Sequence, residues 1–138
     1  ASQSVELLGP QLRGANKYKA PGILAGDGRI YFAPSGAQQV LRIDPAAQSV
    51  ETLGPEIAGD DFGRYEAAGV LAPNGRIYFA PSGSRRVLCV DPRAGAVYML
   101  GPEIPGQRRR YEAAGVLAPN GKIYFAPSRW RQVLCIDP

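Results

Sequence analysis

Three copies of one pattern fill most of this 138-residue chain, and that repetition limits the fold more than any single motif does. The glycines Gly28, Gly75 and Gly121 are spaced by 47 and 46 residues, and Asp44, Asp91 and Asp137 follow at the same two spacings. Residues 65–82, YEAAGVLAPNGRIYFAPS, differ from 111–128 only at Arg76 against Lys122. The first copy, YKAPGILAGDGRIYFAPS at 18–35, diverges further.

Each copy carries the marks of four short strands. AAGVLAP (67–73) meets RIYFAPS (76–82) through Asn74-Gly75, and the other copies use Asp27-Gly28 and Asn120-Gly121. Such a pair between apolar runs signals a tight hairpin, read here as a two-residue turn with positive φ at both positions. RRVLCVD (85–91) follows, rich in β-branched residues, then a proline-containing turn and AVYMLG (96–101). The strands are almost wholly apolar rather than alternating, as expected of a sheet packed on both faces. Four strands in about 45 residues is the period of a propeller blade. The expected fold is therefore all-β, a β-propeller with three four-stranded antiparallel blades at about 19–54, 66–101 and 112–138.

From GVLAPNGRIYFAPSGSRRVLCVDP onward, the chain resembles the NHL and virginiamycin B lyase-like propellers. In those blades a Gly-led inner strand, an Asn-Gly or Asp-Gly turn, an aromatic second strand and an Ile-Asp-Pro-ended third strand recur. The resemblance implies a superfamily and leaves function open, since such blades serve lyases, lactonases and binding modules alike. Lyase-type members rely on histidine and this chain has none, so no catalytic residue carries over.

The last residues, QVLCIDP, match VLRIDP (40–45) and VLCVDP (87–92), which continue into AAQSVETLGPEI and RAGAVYMLGPEI. The first residues, ASQSVELLGP, match AAQSVETLGP at 46–55. Propellers close with roughly four to eight blades, so three are too few. The expectation is a homodimer closing a six-bladed ring, residues 3–9 of each chain completing the third blade of its partner. A piece of a longer repeat array is the other expectation.

Composition narrows the rest. The chain is 45% apolar, has no run long enough to span a bilayer, and opens without a signal-peptide pattern, so one globular domain and no membrane partner are expected. Seventeen glycines and 13 prolines argue for many turns. Cys89 and Cys135 fall in the same apolar segment of their copies and read as packing residues.

The copies differ chiefly in two sets of loops. The segments before the first strand read PQLRGANKYK, PEIAGDDFGRYE and PEIPGQRRRYE, and those between the second and third strands read PSGAQQ, PSGSRR and PSRWRQ. In a meander both sets emerge on one face. That face carries Arg13, Lys17, Lys19, Arg64, Arg85, Arg86, Arg108, Arg109, Arg110, Arg129 and Arg131 against Glu56, Asp60, Asp61, Glu66, Glu103 and Glu112: eleven bases, six acids, net +5 in a chain of net +4. A one-sided basic surface attracts anions, and arginine pairs with phosphate or carboxylate in a fork that lysine lacks.

The candidate ligand-binding residues are Arg64, Arg85, Arg86, Arg108, Arg109, Arg110, Arg129, Trp130 and Arg131, with Trp130 either a stacking platform or a cover for apolar surface. Tyr18, Tyr65 and Tyr111 recur before the innermost strand, a habit of structural pegs. With Lys19, Glu66 and Glu112 they are placed at the mouth of the axial channel. Ser35, Ser82 and Ser128 follow proline in turn positions. Without histidine there is no ordinary triad or imidazole metal site, and no catalytic residue, metal or cofactor is expected. The leading expectation is a non-catalytic binding module for a nucleic acid, acidic glycan or acidic protein. A scaffolding propeller for protein partners is the alternative, and a carboxylate-dependent hydrolase or lyase using Glu66 or Glu112 ranks last.

Overall fold

A computed structural model of the chain describes residues 3–59 and 63–138. Its strands form three antiparallel meanders that follow the repeats. The first contains β1 (Ile23–Leu24), β2 (Ile30–Phe32), β3 (Val40–Asp44) and β4 (Ser49–Leu53). The second contains β5 (Val70–Leu71), β6 (Ile77–Phe79), β7 (Val87–Asp91) and β8 (Ala96–Leu100). The third has three strands, β9 (Val116–Leu117), β10 (Ile123–Phe125) and β11 (Leu134–Ile136), with β11 at an edge. Register repeats from copy to copy: Ile43 pairs with Val50 as Val90 pairs with Val97. Residues 3–9 lie in no strand of the single chain; a strand requires a hydrogen-bonded neighbour, which in the expected pairing a second copy supplies.

The hairpin turns differ from the two-residue form expected. Only the glycines have positive φ, 81° at Gly28, 85° at Gly75 and 83° at Gly121, while Asp27, Asn74 and Asn120 do not. The Gly28 N–H donates to the Ala25 carbonyl at 3.0 Å and the Ala25 N–H to the Arg29 carbonyl at 2.9 Å, a pattern repeated at Ala72, Gly75 and Arg76. This is a three-residue loop, a type I turn followed by a left-handed glycine. Pro73 and Pro119 favour it in two copies, since proline suits the first central position of a type I turn and has no N–H to pair across a two-residue hairpin; Gly26 stands there in the first copy. Asp27, Asn74 and Asn120 then accept through Oδ1 from the N–H two residues on, at 2.9, 2.9 and 3.0 Å.

The core divides between the two junctions. Ile77, Phe79, Leu88 and Val90 pack toward the first sheet with Tyr31, Val40 and Tyr65. Their strand neighbours Tyr78, Val87 and Cys89 pack toward the third with Tyr111, Ile123 and Phe125. The side-chain period of two thus buries the middle sheet on both faces, which explains its apolar run. The outer sheets are covered on one face, and Leu24 and Val116 remain exposed. Cys89 is buried and Cys135 exposed, so packing describes the first cysteine and not the second; both thiols are free.

Candidate binding face and the junctions beneath it

The two loop sets meet through backbone hydrogen bonds. Ser82 and Ser128 donate to the carbonyls of Arg64 and Arg110, both at 2.8 Å, Ile104 donates to Arg85 at 2.7 Å, and Arg129 donates to Arg109 at 2.9 Å. The variable segments therefore share one face.

Two of the candidate binding arginines are not on its surface. Arg64 is 2% exposed and Arg110 3%. Arg64 donates through Nε to the Ile57 carbonyl at 2.7 Å, and through Nη1 to the carbonyls of Ser35, Gly36 and Ala37 in the preceding sheet's loop. Arg110 repeats this one blade later, donating to Ile104, Pro105, Ser82, Ser84 and Gly106. Burial first, then the Arg85 charge, pulls the Arg110 guanidinium below the usual arginine range. A rigid fork of donors suits such a cluster of carbonyls. These residues clasp adjacent sheets and leave the ligand-facing set. The signal was in the sequence: Lys17, Arg64 and Arg110 stand at the repeat spacing, each one residue before a tyrosine.

Arg85, Arg108, Arg109, Arg129 and Arg131 are exposed. Arg86 is half-buried and donates to the Gly101 and Met99 carbonyls. Trp130 is half-buried against the second core cluster and lies over Gly106, where a Cβ would come within 2.9 Å of its ring. Asp60 and Asp61, counted among the acids of this face, lie outside the described residues.

The repeated tyrosines are pegs, each tied through its hydroxyl to a residue just before the third strand of its own blade. Tyr18, Tyr65 and Tyr111 donate to the carbonyls of Gln39, Arg86 and Gln132 at 2.9, 2.8 and 2.8 Å. Burial raises all three hydroxyls above the usual tyrosine range. Glu66 and Glu112 accept from Ser82 and Ser128 at 3.2 and 2.6 Å. In the first copy Lys19 occupies the carboxylate position and reaches Glu66 at 3.2 Å instead. The buried Ser35 hydroxyl is left with no hydrogen-bond partner among the described residues. Lys19, Glu66, Arg108 and Arg109 line one cavity of about 200 Å³ with Asn16, Gly63 and Ser82. Among the described residues no three His, Cys, Asp or Glu side chains gather as a metal-binding set.

Solved structures share the fold. A catalytically inactive histidine-to-alanine variant of virginiamycin B lyase from Staphylococcus aureus, with quinupristin, superposes at a TM-score of 0.63 and 14% identity, over 93% of this chain and 44% of the lyase. The selenomethionine form of the same lyase matches at 0.59 and 15% identity, covering 85% and 40%. Hydrazine synthase from Kuenenia stuttgartiensis matches at 0.61 and 18% identity, covering 96% and 36%. The fold is that of β-propeller blades. The chain spans less than half the length of each of these structures. No family model matches it, and no curated protein matches it in sequence.

Proposed function

We infer that this chain is a non-catalytic propeller module whose loop face binds a polyanion. One observation carries the reading: Arg109 and Arg129 are joined backbone to backbone, and with Arg108, Arg131 and Arg85 of the second blade's loop they put five exposed arginines on one loop face. A surface carrying several like charges attracts anions, and one that bridges two or more of these groups is held by each of them. Of the five, Arg109 lies 3.9 Å from Glu112, a long contact that leaves its fork open to phosphate, sulfate or carboxylate.

The enzyme reading has less behind it. A histidine-to-alanine variant of the lyase is named as catalytically inactive, and this chain contains no histidine. Glu66 and Glu112 are each engaged by a serine hydroxyl and a basic side chain. The match of SVELLG near the start of the chain to SVETLG of β4, with Val5 and Leu7 exposed, supports a six-bladed ring closed with a second copy; a scaffold for other proteins would use the same ring.

Affinity for heparin and for a single-stranded oligonucleotide tests the anion reading. Binding should weaken steeply with salt, and Arg109→Ala with Arg129→Ala and Arg131→Ala should reduce both affinity and salt slope, because fewer counterions are released. Salt-independent binding, or an unchanged slope in the triple variant, overturns it.

A further inference from the structure

Arg64 and Arg110 clasp both junctions inside the chain in the same way, whereas a glycine–valine contact found at the first is missing at the second, and among the described residues β11 pairs only with β10. At the first junction Gly54 approaches Val97, a Cβ on the glycine falling 2.6 Å from the valine Cβ. Gly9 meets Val50 in the same way, at 2.7 Å. Gly101, the next glycine of the series, has nothing within 4 Å among the described residues. Beside it lies a cavity of about 280 Å³ between β8 and β11, lined by Leu100, Gly101, Ile104, Leu134, Cys135 and Ile136. Val133 stands 61% exposed next to that edge.

The matching insert is present in the same chain and uncovered. Val5 is 97% exposed and Leu7 100%, in a segment, SVELLG, that repeats SVETLG of β4. We propose that residues 4–8 of a second copy add to β11 as the fourth strand of the third blade. The β3–β4 register, which pairs Val40 with Leu53 and Asp44 with Ser49, fixes the alignment. It sets Leu8 opposite Val133, Glu6 opposite Cys135 and Val5 opposite Ile136, and it seats Val5 on Gly101.

A second contact follows from the arginine clasps. Arg64 and Arg110 each reach the loop of the preceding sheet, and Lys17 holds their position in the first copy. In the pair of chains the ammonium of Lys17 meets the carbonyls of Ser128 and Trp130 across the seam. The contact is reciprocal, each copy giving its strand to the other, as a two-fold interface requires. Addition to an exposed sheet edge supplies main-chain hydrogen bonds, and the alternate side chains supply register.

This inference rests on the ring reading and is separable from it. Glu6→Cys should form a disulfide with Cys135 of the second copy when the protein is treated with diamide, because directly paired Cβ atoms lie about 4.5–5.5 Å apart. Leu7→Cys, which points to the other face, should not. Val5→Asp alters a side chain exposed in the single chain, so it leaves the fold intact while weakening self-association by roughly tenfold or more. A stable dimer in which Glu6→Cys fails to cross-link overturns the strand and leaves the ring standing. Cross-linking into an open ladder of larger oligomers supports the strand and overturns the closed ring. A chain that stays monomeric at high concentration overturns both.

Discussion

The guanidinium of Arg110 donates through Nη1 to the carbonyl of Ser82 at 2.9 Å, joining the third blade to the loop of the second. Ser84, Gly106 and Ile104 offer further carbonyls to the same side chain. Its charge thus serves the joint between blades. Arg110→Ala should cost about 3 kcal/mol in urea denaturation, the scale of one or two buried polar groups left unsatisfied. Arg110→Lys should recover part of this, since a lysine keeps the charge and loses the fork. A stability change near zero in Arg110→Ala would remove the clasp from the account, along with its extension to Lys17.

Three serines at one repeat position separate a made hydrogen bond from an unmade one. Ser82 and Ser128 donate to carboxylates, whereas Ser35 is buried with no partner among the described residues, Lys19 standing where the other copies have the glutamate. Ser82→Ala and Ser128→Ala should each destabilise by about 1 kcal/mol, and Ser35→Ala should be neutral or stabilising, because removing an unsatisfied hydroxyl removes its desolvation cost. Chemical denaturation of the three variants in parallel reads the contrast. Equal losses at all three positions would mean that Ser35 has an acceptor.

The repeat made the blades legible because strand, turn and period all follow from side-chain pattern, and Gly28, Gly75 and Gly121 fixed the register of the copies. The loop face was legible too, since a meander places alternate connections on one side. What the pattern did not reveal was which arginines of that face point inward. Arg109 and Arg110 are adjacent in the chain, one exposed with a φ of 66° and one buried in the junction, and nothing in their residue type separates them. The turn type was misread for a similar reason. Asn-Gly suggests two positive φ values until the preceding proline is weighed, because Pro73 and Pro119 lack the N–H that a two-residue hairpin pairs; in the first copy Gly26-Asp27-Gly28 makes the same loop without that signal.

The cysteines should report on the edge. Burial raises the Cys89 thiol above its usual range, with the neighbouring Tyr98 and Tyr78 partly opposing, so at a given pH its thiolate fraction is reduced and the sheet also shields it. Tyr98, hydrogen-bonded to Cys89, is itself pushed up to about 12. In the native protein at pH 8, iodoacetamide should label Cys135 and spare Cys89, and raising the protein concentration should slow Cys135 as its edge is covered. Peptide mapping by mass spectrometry checks both. Equal labelling of the two would show that the middle sheet opens freely.

Trp130 and Gly106 provide the sharpest test of the loop geometry. The indole rests on the backbone of Gly106, whose φ of 103° is open to glycine and strained for other residues, and an added Cβ would lie 2.9 Å from Cε3. Trp130→Ala should cost about 1–3 kcal/mol, less than a fully buried tryptophan because the ring is half-buried, and should leave the salt slope of anion binding unchanged. Gly106→Ala should destabilise for two reasons, the backbone strain and the collision with the indole. In the Trp130→Ala background only the strain persists, so the double variant should be more stable than the sum of the single losses predicts, by about 0.5–3 kcal/mol. Thermal or urea unfolding of the four proteins closes this cycle. Additive losses would place the indole away from Gly106, and a large drop in anion affinity at unchanged stability would return Trp130 to the role of stacking platform.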